Sequence, residues 1–335
     1  MENCFEKVDQ ILSAACDASL IPGAVFLAGK QGETLFERAY GFASLEPEKI
    51  RMTLDTRFDL ASLTKVVAVW PCIVKLLEAG SITLEDPLPE LLPWDFPNEM
   101  QGITLLHLLT HTAGLVEDAD LDGFGETREE RVKGITRIPL RYPMGQVHYS
   151  DLSFILLGEI AAHKIGLPLS MAAAQVWKTL GMTDTCYCPP QGLPFAATEK
   201  MNGKVISGSV HDERSQQLFG VAGHAGVFST ARDLGIFCRH LIPGSGGGIC
   251  GDDWLKKSFR LWAKDPKWDR GLAFVVYRED PEGNLIGHTG FTGTSFKVDT
   301  KTGFYAVLLT NRVHPTRENH NLQSIRAEVD ALLFP

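Results

Sequence analysis

The spacing of hydrophobic residues changes along the chain and predicts strands near both ends with helices between them. Phe5, Val8, Ile11 and Leu12 recur at helical intervals, whereas residues 24–28 and 34–38 alternate in polarity on either side of a glycine-bearing turn. Such alternation predicts a β-hairpin. The same reasoning predicts further strands at 271–277, 293–299 and 304–310, and further helices at 62–79, 105–110, 153–164, 171–180 and 322–333.

The order of these elements predicts an α/β (α+β) fold in one unit that spans residues 1–335. We expect the strands from both ends to form an antiparallel sheet flanked by helices from both termini. This sheet would belong to a lobe made of about residues 1–80 and 204–335. Residues 81–203 carry helical patterns separated by loops with proline and glycine, and they predict a mainly helical lobe.

Composition narrows the class of protein. The 335 residues, 44% of them hydrophobic, can bury a large core, and the net charge of −9 without a dense basic cluster argues against a nucleic-acid partner. The longest apolar run, 66–74, is too short to span a bilayer, so we expect no membrane partner. Because the chain opens without a visible secretory leader, we expect a cytoplasmic protein, or a periplasmic one if a leader was removed. The seven irregularly spaced cysteines predict reduced thiols.

The segment Ser62-Leu63-Thr64-Lys65 places a hydroxyl and an amine one helical turn apart, at the predicted start of a helix. Serine needs a base to become a nucleophile at neutral pH, and a lysine whose charge is suppressed by burial can accept the proton. The pattern therefore predicts a Ser-Lys pair for acyl transfer. By itself it is equally compatible with a capping serine beside a solvated lysine.

Further segments in the same order give the chain a resemblance to a known family. With Ser62-x-x-Lys65, they make it similar to the serine β-lactamase and penicillin-binding-protein superfamily over nearly its whole length, closest to the class C β-lactamase, DD-peptidase and esterase branch. The resemblance implies a β-lactamase/transpeptidase-like fold and a serine hydrolase that uses neither a metal nor an organic cofactor. The segments are Thr104–Leu115, Tyr149-Ser150-Asp151, Gly181-Met182-x-x-Thr185, Gly223–Thr230 and His288-Thr289-Gly290.

The resemblance implies a role for each residue of the reaction. Ser62 would be the acylated nucleophile, Lys65 its proton partner and Tyr149 the second base, and the choice between Lys65 and Tyr149 as general base stays open. The strand 288–290 would flank the substrate, with Thr289 in its centre and Gly290 letting the substrate backbone pack closely. The oxyanion hole would combine the backbone N–H groups of Ser62 and Phe291.

Two departures from the family pattern affect the expected substrate. His288 stands where true β-lactamases have lysine, and near pH 7 its imidazole need not carry a charge. Asp151 stands where asparagine is common, which removes an amide donor and adds a negative charge. We therefore expect weak or absent β-lactam turnover and better activity on small esters, amides or peptides. The alternative is a ligand-binding or penicillin-binding sensor protein on the same fold.

Other polar residues have competing interpretations. His107 and His111 lie four apart, but we expect scaffold roles and no metal site. His211-Asp212 and His224 resemble parts of a Ser-His-Asp triad, yet we expect them to order loops around the site. Arg312 or Arg317 is a candidate for the cation that His288 does not supply. The natural substrate and the oligomeric state do not follow from the sequence.

Overall fold

The computed structural model describes residues 2–277 and 284–335, and its helices and strands lie in those two ranges. The helices are α1 (Glu2–Asp17), α2 (Trp70–Glu78), α3 (Leu88–Leu91), α4 (Leu105–Leu109), α5 (Arg128–Gly134), α6 (Asp151–Ile165), α7 (Leu169–Leu180), α8 (Glu213–Gln217), α9 (Ala231–His240), α10 (Asp252–Phe259) and α11 (Leu322–Leu333). The strands are β1 (Gly23–Lys30), β2 (Glu33–Ser44), β3 (Ile50–Arg51), β4 (Phe58–Asp59), β5 (Cys186–Tyr187), β6 (Lys200–Met201), β7 (Lys204–Val205), β8 (Val227–Ser229), β9 (Asp269–Arg270), β10 (Val275–Val276), β11 (Leu285–Thr289), β12 (Thr294–Asp299) and β13 (Phe304–Thr310).

The two ends of the chain build one large antiparallel sheet. Its strand order is β3-β2-β1-β13-β12-β11-β10-β9, so the C-terminal strand β13 lies between the N-terminal hairpin and β12. Because side chains alternate along a strand, Phe26 of β1 packs against α1 and α11 on one face of the sheet, while Val25 and Leu27 enter the main core on the other. This arrangement confirms the predicted fold class.

The predicted helix 62–79 is three segments rather than one. A 3₁₀ turn (Ala61–Leu63) is followed by a π-helical segment (Lys65–Val69) and then by α2. Pro71 lies in the first turn of α2 and has no N–H to donate, so the carbonyl of Val67 loses its usual helical partner. The indole Nε1 of Trp177 donates to that carbonyl instead, at 2.9 Å. A tryptophan distant in sequence thus provides the hydrogen bond that the Val67 carbonyl loses because of the proline.

The predicted strand 271–277 is wrong for its first four residues. Residues 271–274 form a bend in which the N–H of Gly271 donates to the carbonyl of Phe274, and only Val275–Val276 pairs in the sheet. Ala273 has a φ of +75°, which is not a strand conformation. The apolar character of this stretch therefore reflects burial of Leu272 and Phe274 in the core and not an extended chain.

The remaining helices surround the segment that carries Ser62. A small three-stranded sheet has the order β4-β8-β5, and its strand β4 comes just before that segment in the chain. Leu60 follows β4 and connects the segment to β8, because its N–H donates to the carbonyl of Val227 at 2.9 Å. Between residues 81 and 203, α3 to α7 supply most of the regular structure, and the exact lobe boundaries stay a prediction. No single helix in the described ranges is long and apolar enough to cross a membrane, and α6 with α7 qualify only jointly, across a bend of 79°.

Candidate active site

Lys65 lies directly beneath Ser62, at the centre of a buried polar cluster. Its side chain is fully buried, and its Nζ lies 2.8 Å from Ser62 Oγ, 2.7 Å from Asp151 Oδ1 and 3.3 Å from the backbone carbonyl of His224. The ammonium donates hydrogen bonds to Ser62 Oγ and to the His224 carbonyl, and it forms an ion pair with the Asp151 carboxylate. The hydroxyl and the amine predicted from Ser-x-x-Lys are therefore in direct contact.

The charge of Lys65 differs from the expectation. Burial by itself lowers the pKa of Lys65, but the nearby Asp151 carboxylate and the Tyr149 hydroxyl outweigh it and leave this pKa above its ordinary value. The expectation of a lysine with suppressed charge is therefore wrong for the free protein. The physical reason is Asp151, because an aspartate in place of the usual asparagine turns a neutral neighbour into a counter-ion.

Tyr149 lies beside Lys65, and its ring packs against the ring of His111. The two rings stack with their centroids 4.4 Å apart, and the N–H of Ser150 donates to His111 Nδ1 at 3.1 Å. Burial, with the nearby cations Arg270 and Lys65, holds the pKa of His111 well below its ordinary value, so the ring is neutral. His111 thus has a scaffold role in this structure, since it fixes the orientation of Tyr149.

Strand β11 places His288 and Thr289 along one edge of the site. His288 Nδ1 donates to the Thr289 carbonyl at 2.9 Å, and burial together with Lys65 and Arg270 lowers the pKa of His288 to about 3. The imidazole is therefore neutral at pH 7, in agreement with the interpretation of its sequence position. The cation that lysine provides at this position in true β-lactamases is absent from the described strand.

The turn after β11 contacts the segment that precedes Ser62. A Cβ atom at Gly290 would lie 2.4 Å from the Leu60 carbonyl oxygen and 2.2 Å from Thr294 Oγ1, so only glycine fits at this position. This space is filled by the protein's own chain, whereas the resemblance implies room for a substrate backbone. Phe291 follows at the lip of the site with 49% of its surface exposed, and its backbone N–H is the second oxyanion donor that the resemblance implies.

A second cation close to Tyr149, besides Lys65, is Arg270 of β9, which the sequence did not single out. It is only 4% exposed, and its guanidinium carbon lies 5.3 Å from the centroid of the Tyr149 ring. Its Nε has no hydrogen-bond partner among the described residues. No motif or spacing marks Arg270, because it reaches the site only through pairing of β9 with β10 at the far end of the sheet.

The two arginines suggested by the sequence are already engaged by other groups. Arg317 lines the pocket but bonds Glu199 Oε2 and Glu213 Oε1, each at 2.6 Å. Arg312 donates from Nε to the Phe291 carbonyl at 2.9 Å. Arg270 is therefore a better candidate than either for binding an anionic group of the substrate.

Ser62 opens into a pocket of about 580 Å³. Its lining contains carboxylates, the Arg270 guanidinium and aromatic side chains. This combination suits a molecule with both polar and apolar parts. The lining residues are Ala61, Ser62, Tyr149, Asp151, His211, Asp212, Glu213, Asp265, Lys267, Trp268, Arg270, Val275, His288, Thr289, Phe291 and Arg317.

The three other histidines considered in the sequence analysis bond to structural partners. His107 accepts a hydrogen bond from the Thr104 N–H in the capping box of α4, and His211 pairs with Glu199. His224 pairs with Asp212. In the described part of the chain no hydrogen bond joins Ser62 to a histidine, so the Ser-His-Asp alternative is not assembled.

A serine whose hydroxyl contacts a buried lysine, beside a tyrosine and a strand that closes the pocket, defines a serine hydrolase of the β-lactamase-like class. The chain matches the Beta-lactamase family over residues 8–330, and it belongs to that family.

Relatives of known name are consistent with this class. The N-acetylmuramyl-L-alanine amidase of Bacillus subtilis (strain 168) is 31% identical over an alignment of 361 residues, which covers 92% of this chain and 81% of the relative. An Escherichia coli (strain K12) protein, named as a proposed D-alanyl-D-alanine carboxypeptidase, is 28% identical with coverage of 92% and 82%. The solved structure of EstCE1, a hydrolase with promiscuous acyltransferase activity, shares the fold at a TM-score of 0.81 and 21% identity, covering 100% of this chain and 99% of that one.

Proposed function

We propose that this protein hydrolyses an amide or peptide bond in a small substrate that carries a carboxylate, through an acyl-enzyme formed on Ser62. The observation that carries the proposal is the 2.8 Å contact between Lys65 Nζ and Ser62 Oγ on the floor of the pocket. A sensor protein would also need a pocket, but it would have no need for a hydroxyl in contact with a buried amine. Esters are the second substrate class.

The reaction follows from the positions of the groups. Ser62 Oγ attacks the substrate carbonyl carbon while its proton passes to the Lys65–Tyr149 pair, and the backbone N–H groups of Ser62 and Phe291 bind the oxyanion. The carbon–nitrogen bond then breaks, and the same proton goes to the leaving amine. Water attacks the acyl-enzyme, gives a proton back to the pair and releases a carboxylic acid. Ser62 recovers its proton in this last step.

The pairing with Asp151 bears on which residue accepts the first proton. Because Lys65 is held as an ammonium in the free protein, it must release a proton before it can accept the one from Ser62. Tyr149 lies on the other side of the Lys65 ammonium and is the alternative acceptor. We propose that the two act as one unit that shares a proton, and that substrate binding changes its distribution.

Arg270 supports a substrate with a carboxylate. Its guanidinium lines the pocket and is buried, and a carboxylate is the group that arginine binds best. The name of the Bacillus relative, an amidase, favours an amide over an ester. Of the two reasons for weak β-lactam turnover, Arg270 can supply the cation that His288 lacks, while the effect of Asp151 remains. We therefore still expect benzylpenicillin to acylate Ser62 slowly or to clear slowly.

The test uses covalent labelling followed by intact mass and peptide mapping. An active-site serine phosphonate should add to Ser62, the adduct should vanish in Ser62→Ala, and Ser324→Ala on α11 should label like the wild type. Benzylpenicillin should leave a slowly clearing adduct on Ser62 or none. A folded wild-type protein that is labelled by neither reagent would favour the ligand-binding alternative, and rapid turnover of several penicillins would contradict the substrate class.

We also propose a cytoplasmic location, with no nucleic-acid or membrane partner. The cysteines support it, because all seven are free thiols in the structure and three of them (Cys72, Cys238 and Cys250) are buried. In the cytoplasm the enzyme would meet soluble amides and not a polymer outside the membrane. Cell fractionation with an antibody against the chain tests this, and recovery in the periplasmic fraction would contradict it.

A further inference from the structure

A second ion pair lies behind Lys65 and has no role in the steps above. His224 is fully buried, and its Nε2 lies 2.7 Å from Asp212 Oδ1. Its backbone carbonyl accepts a hydrogen bond from the Lys65 ammonium at 3.3 Å. His224 therefore touches Asp212 with its side chain and Lys65 with its backbone.

We infer that Asp212 and His224 form a positioning pair that holds Lys65 against Ser62 and makes its proton easier to release. The inference rests on the proposed function, because it assigns these two residues to the same acylation step. Neither residue reaches the substrate carbonyl in this role. They act through Lys65.

The His224 loop is fixed in position by its contacts, and this allows its carbonyl to hold Lys65 in place. Asp212 caps α8, where its Oδ1 also accepts from the Ser215 N–H at 2.7 Å, so the His224 ring is tied to the start of a helix. In the described structure Asp212 is the only hydrogen-bond partner of the ring, because Nδ1 has none. A Cβ at Gly223 would lie 1.9 Å from the Phe154 carbonyl oxygen, which leaves the loop no room to move toward α6.

The electrostatic part follows from the charges that face His224. They are the Asp212 carboxylate at the start of α8, the Asp151 carboxylate of α6 and the Lys65 ammonium, with Tyr149 beyond the ammonium. Burial lowers the pKa of His224, but Asp212 outweighs it and leaves this pKa above its ordinary value. The same contact holds the pKa of Asp212 well below its ordinary range, although burial alone would raise it.

An imidazolium at this position opposes the charge on Lys65. Coupling between two titrating groups is reciprocal, so the Lys65 ammonium that disfavours protonation of His224 is itself disfavoured by the imidazolium. Asp151 has the opposite effect, since it favours the ammonium. The His224 imidazolium thus limits how tightly Asp151 fixes the proton on Lys65, and Asp212 keeps the imidazolium charged although its own carboxylate favours the ammonium.

The same groups do not favour a metal site. Donor atoms of Asp151, Asp212 and His224 lie within 4.8 Å of one another. However, His224 Nε2 and Asp212 are already bonded to each other, and Asp151 is paired with an ammonium that would repel a divalent cation. The arrangement therefore suits proton handling.

The kinetic test measures the rate of Ser62 phosphonylation against pH in His224→Gln and Asp212→Asn. We expect both to react about 10- to 100-fold more slowly at neutral pH, with substrate KM nearly unchanged, and the acidic limb of the His224→Gln profile should move to higher pH because the imidazolium is lost while the Asp212 carboxylate stays. Asp212→Glu should recover part of the rate because it keeps the charge. The control is His240→Gln on α9, whose Nδ1 bonds only the Gly247 carbonyl outside the site. A uniform loss at every pH would indicate a merely structural role and overturn the inference.

A second measurement does not depend on activity. Nitrogen NMR shifts of the histidine rings, assigned with His224→Gln, report whether His224 carries two protons at pH 7. We expect the doubly protonated ring in the wild type and a neutral ring in Asp212→Asn. A neutral His224 in the wild type would refute the inference even if Ser62 is acylated. Conversely, a charged His224 in a protein whose Ser62 never reacts would mean that the proposed function fails.

Discussion

Replacing Asp151 with asparagine removes the counter-ion of Lys65 and leaves a side chain of nearly the same shape. The contact is 2.7 Å, Lys65 is fully buried and the Asp151 side chain is 23% exposed. At an effective dielectric constant of about 20, the Coulomb attraction across that distance is about 6 kcal/mol, and the desolvation of both ions offsets much of it. Loss of one partner of such a pair should lower the free energy of unfolding by about 3 kcal/mol.

The pH dependence of this loss has a defined sign. The pKa of Lys65 is above its ordinary value in the folded protein, although burial alone lowers it, because Asp151 and Tyr149 favour the ammonium. Its contribution to stability is therefore fully present below the ordinary lysine pKa, and it is lost only as the pH rises through the raised folded value. The wild type should therefore keep a constant contribution from Lys65 up to the ordinary lysine pKa, whereas Asp151→Asn should regain stability as the pH rises through the lowered pKa of its Lys65, so the difference should be largest in mildly acidic solution and shrink at higher pH.

The variant should also react differently. Without Asp151 the effect of burial dominates, so Lys65 gives up its proton more easily and Ser62 phosphonylation should reach its half-maximal rate at a lower pH than in the wild type. The protein would be less stable and, in mildly acidic solution, more reactive. Restoring the family's asparagine should at the same time favour β-lactam acylation.

Urea unfolding followed by tryptophan fluorescence, together with the pH profile of phosphonylation, measures both effects. The matched control is Glu159→Gln on the same helix, where the carboxylate pairs at 2.5 Å with Arg128, whose side chain is 31% exposed whereas that of Lys65 is fully buried. This control should lose about 1 kcal/mol or less and keep the wild-type pH profile. If Asp151→Asn were as stable as the wild type and had the same profile, the Lys65–Asp151 pair would neither stabilise the fold nor hold the proton on Lys65.

Three other substitutions test separate parts of the structure. Arg270→Met should raise KM for a carboxylate-bearing amide about tenfold or more while KM for a neutral ester stays the same, and an equal change for both would exclude Arg270 as the anion site. Gly290→Ala should lower the free energy of unfolding by about 1–3 kcal/mol, because its Cβ would overlap the chain before Ser62; unchanged thermal unfolding would show that this turn can adjust. Trp177→Phe should destabilise by about 1–3 kcal/mol in urea because the Val67 carbonyl loses its donor, and a neutral result would mean that water replaces the indole.

Local hydrophobic patterns predict much of the secondary structure of the fold. The strands β1 and β13 and the helix α11 are predicted at or near their observed ends, because alternation and helical spacing report burial on one face directly, whereas β2 continues past the predicted end at residue 38 to Ser44. Hydrophobic patterns give wrong predictions where buried residues do not adopt the regular backbone conformation that the pattern indicates. Residues 271–274 are apolar because Leu272 and Phe274 are buried in the core from a bend, and residues 62–79 form three helical segments in which Trp177 bonds the Val67 carbonyl that Pro71 leaves without a helical partner.

For the site, the sequence by itself placed the Ser62 hydroxyl and the Lys65 amine on one face, since they are three residues apart in a helical segment, and the burial that turns this placement into a contact comes from the fold. It also indicated that His288 need not carry a charge, and the burial that makes it neutral lies in the fold. What only the tertiary structure decided is the electrostatic environment. Arg270 and the Asp212–His224 pair reach Tyr149 and Lys65 from strands and loops distant in sequence, and Asp151 becomes an ion-pair partner only because Lys65 is buried against it. Charge interactions depend on distance and burial in space, and neither can be read from positions along a chain.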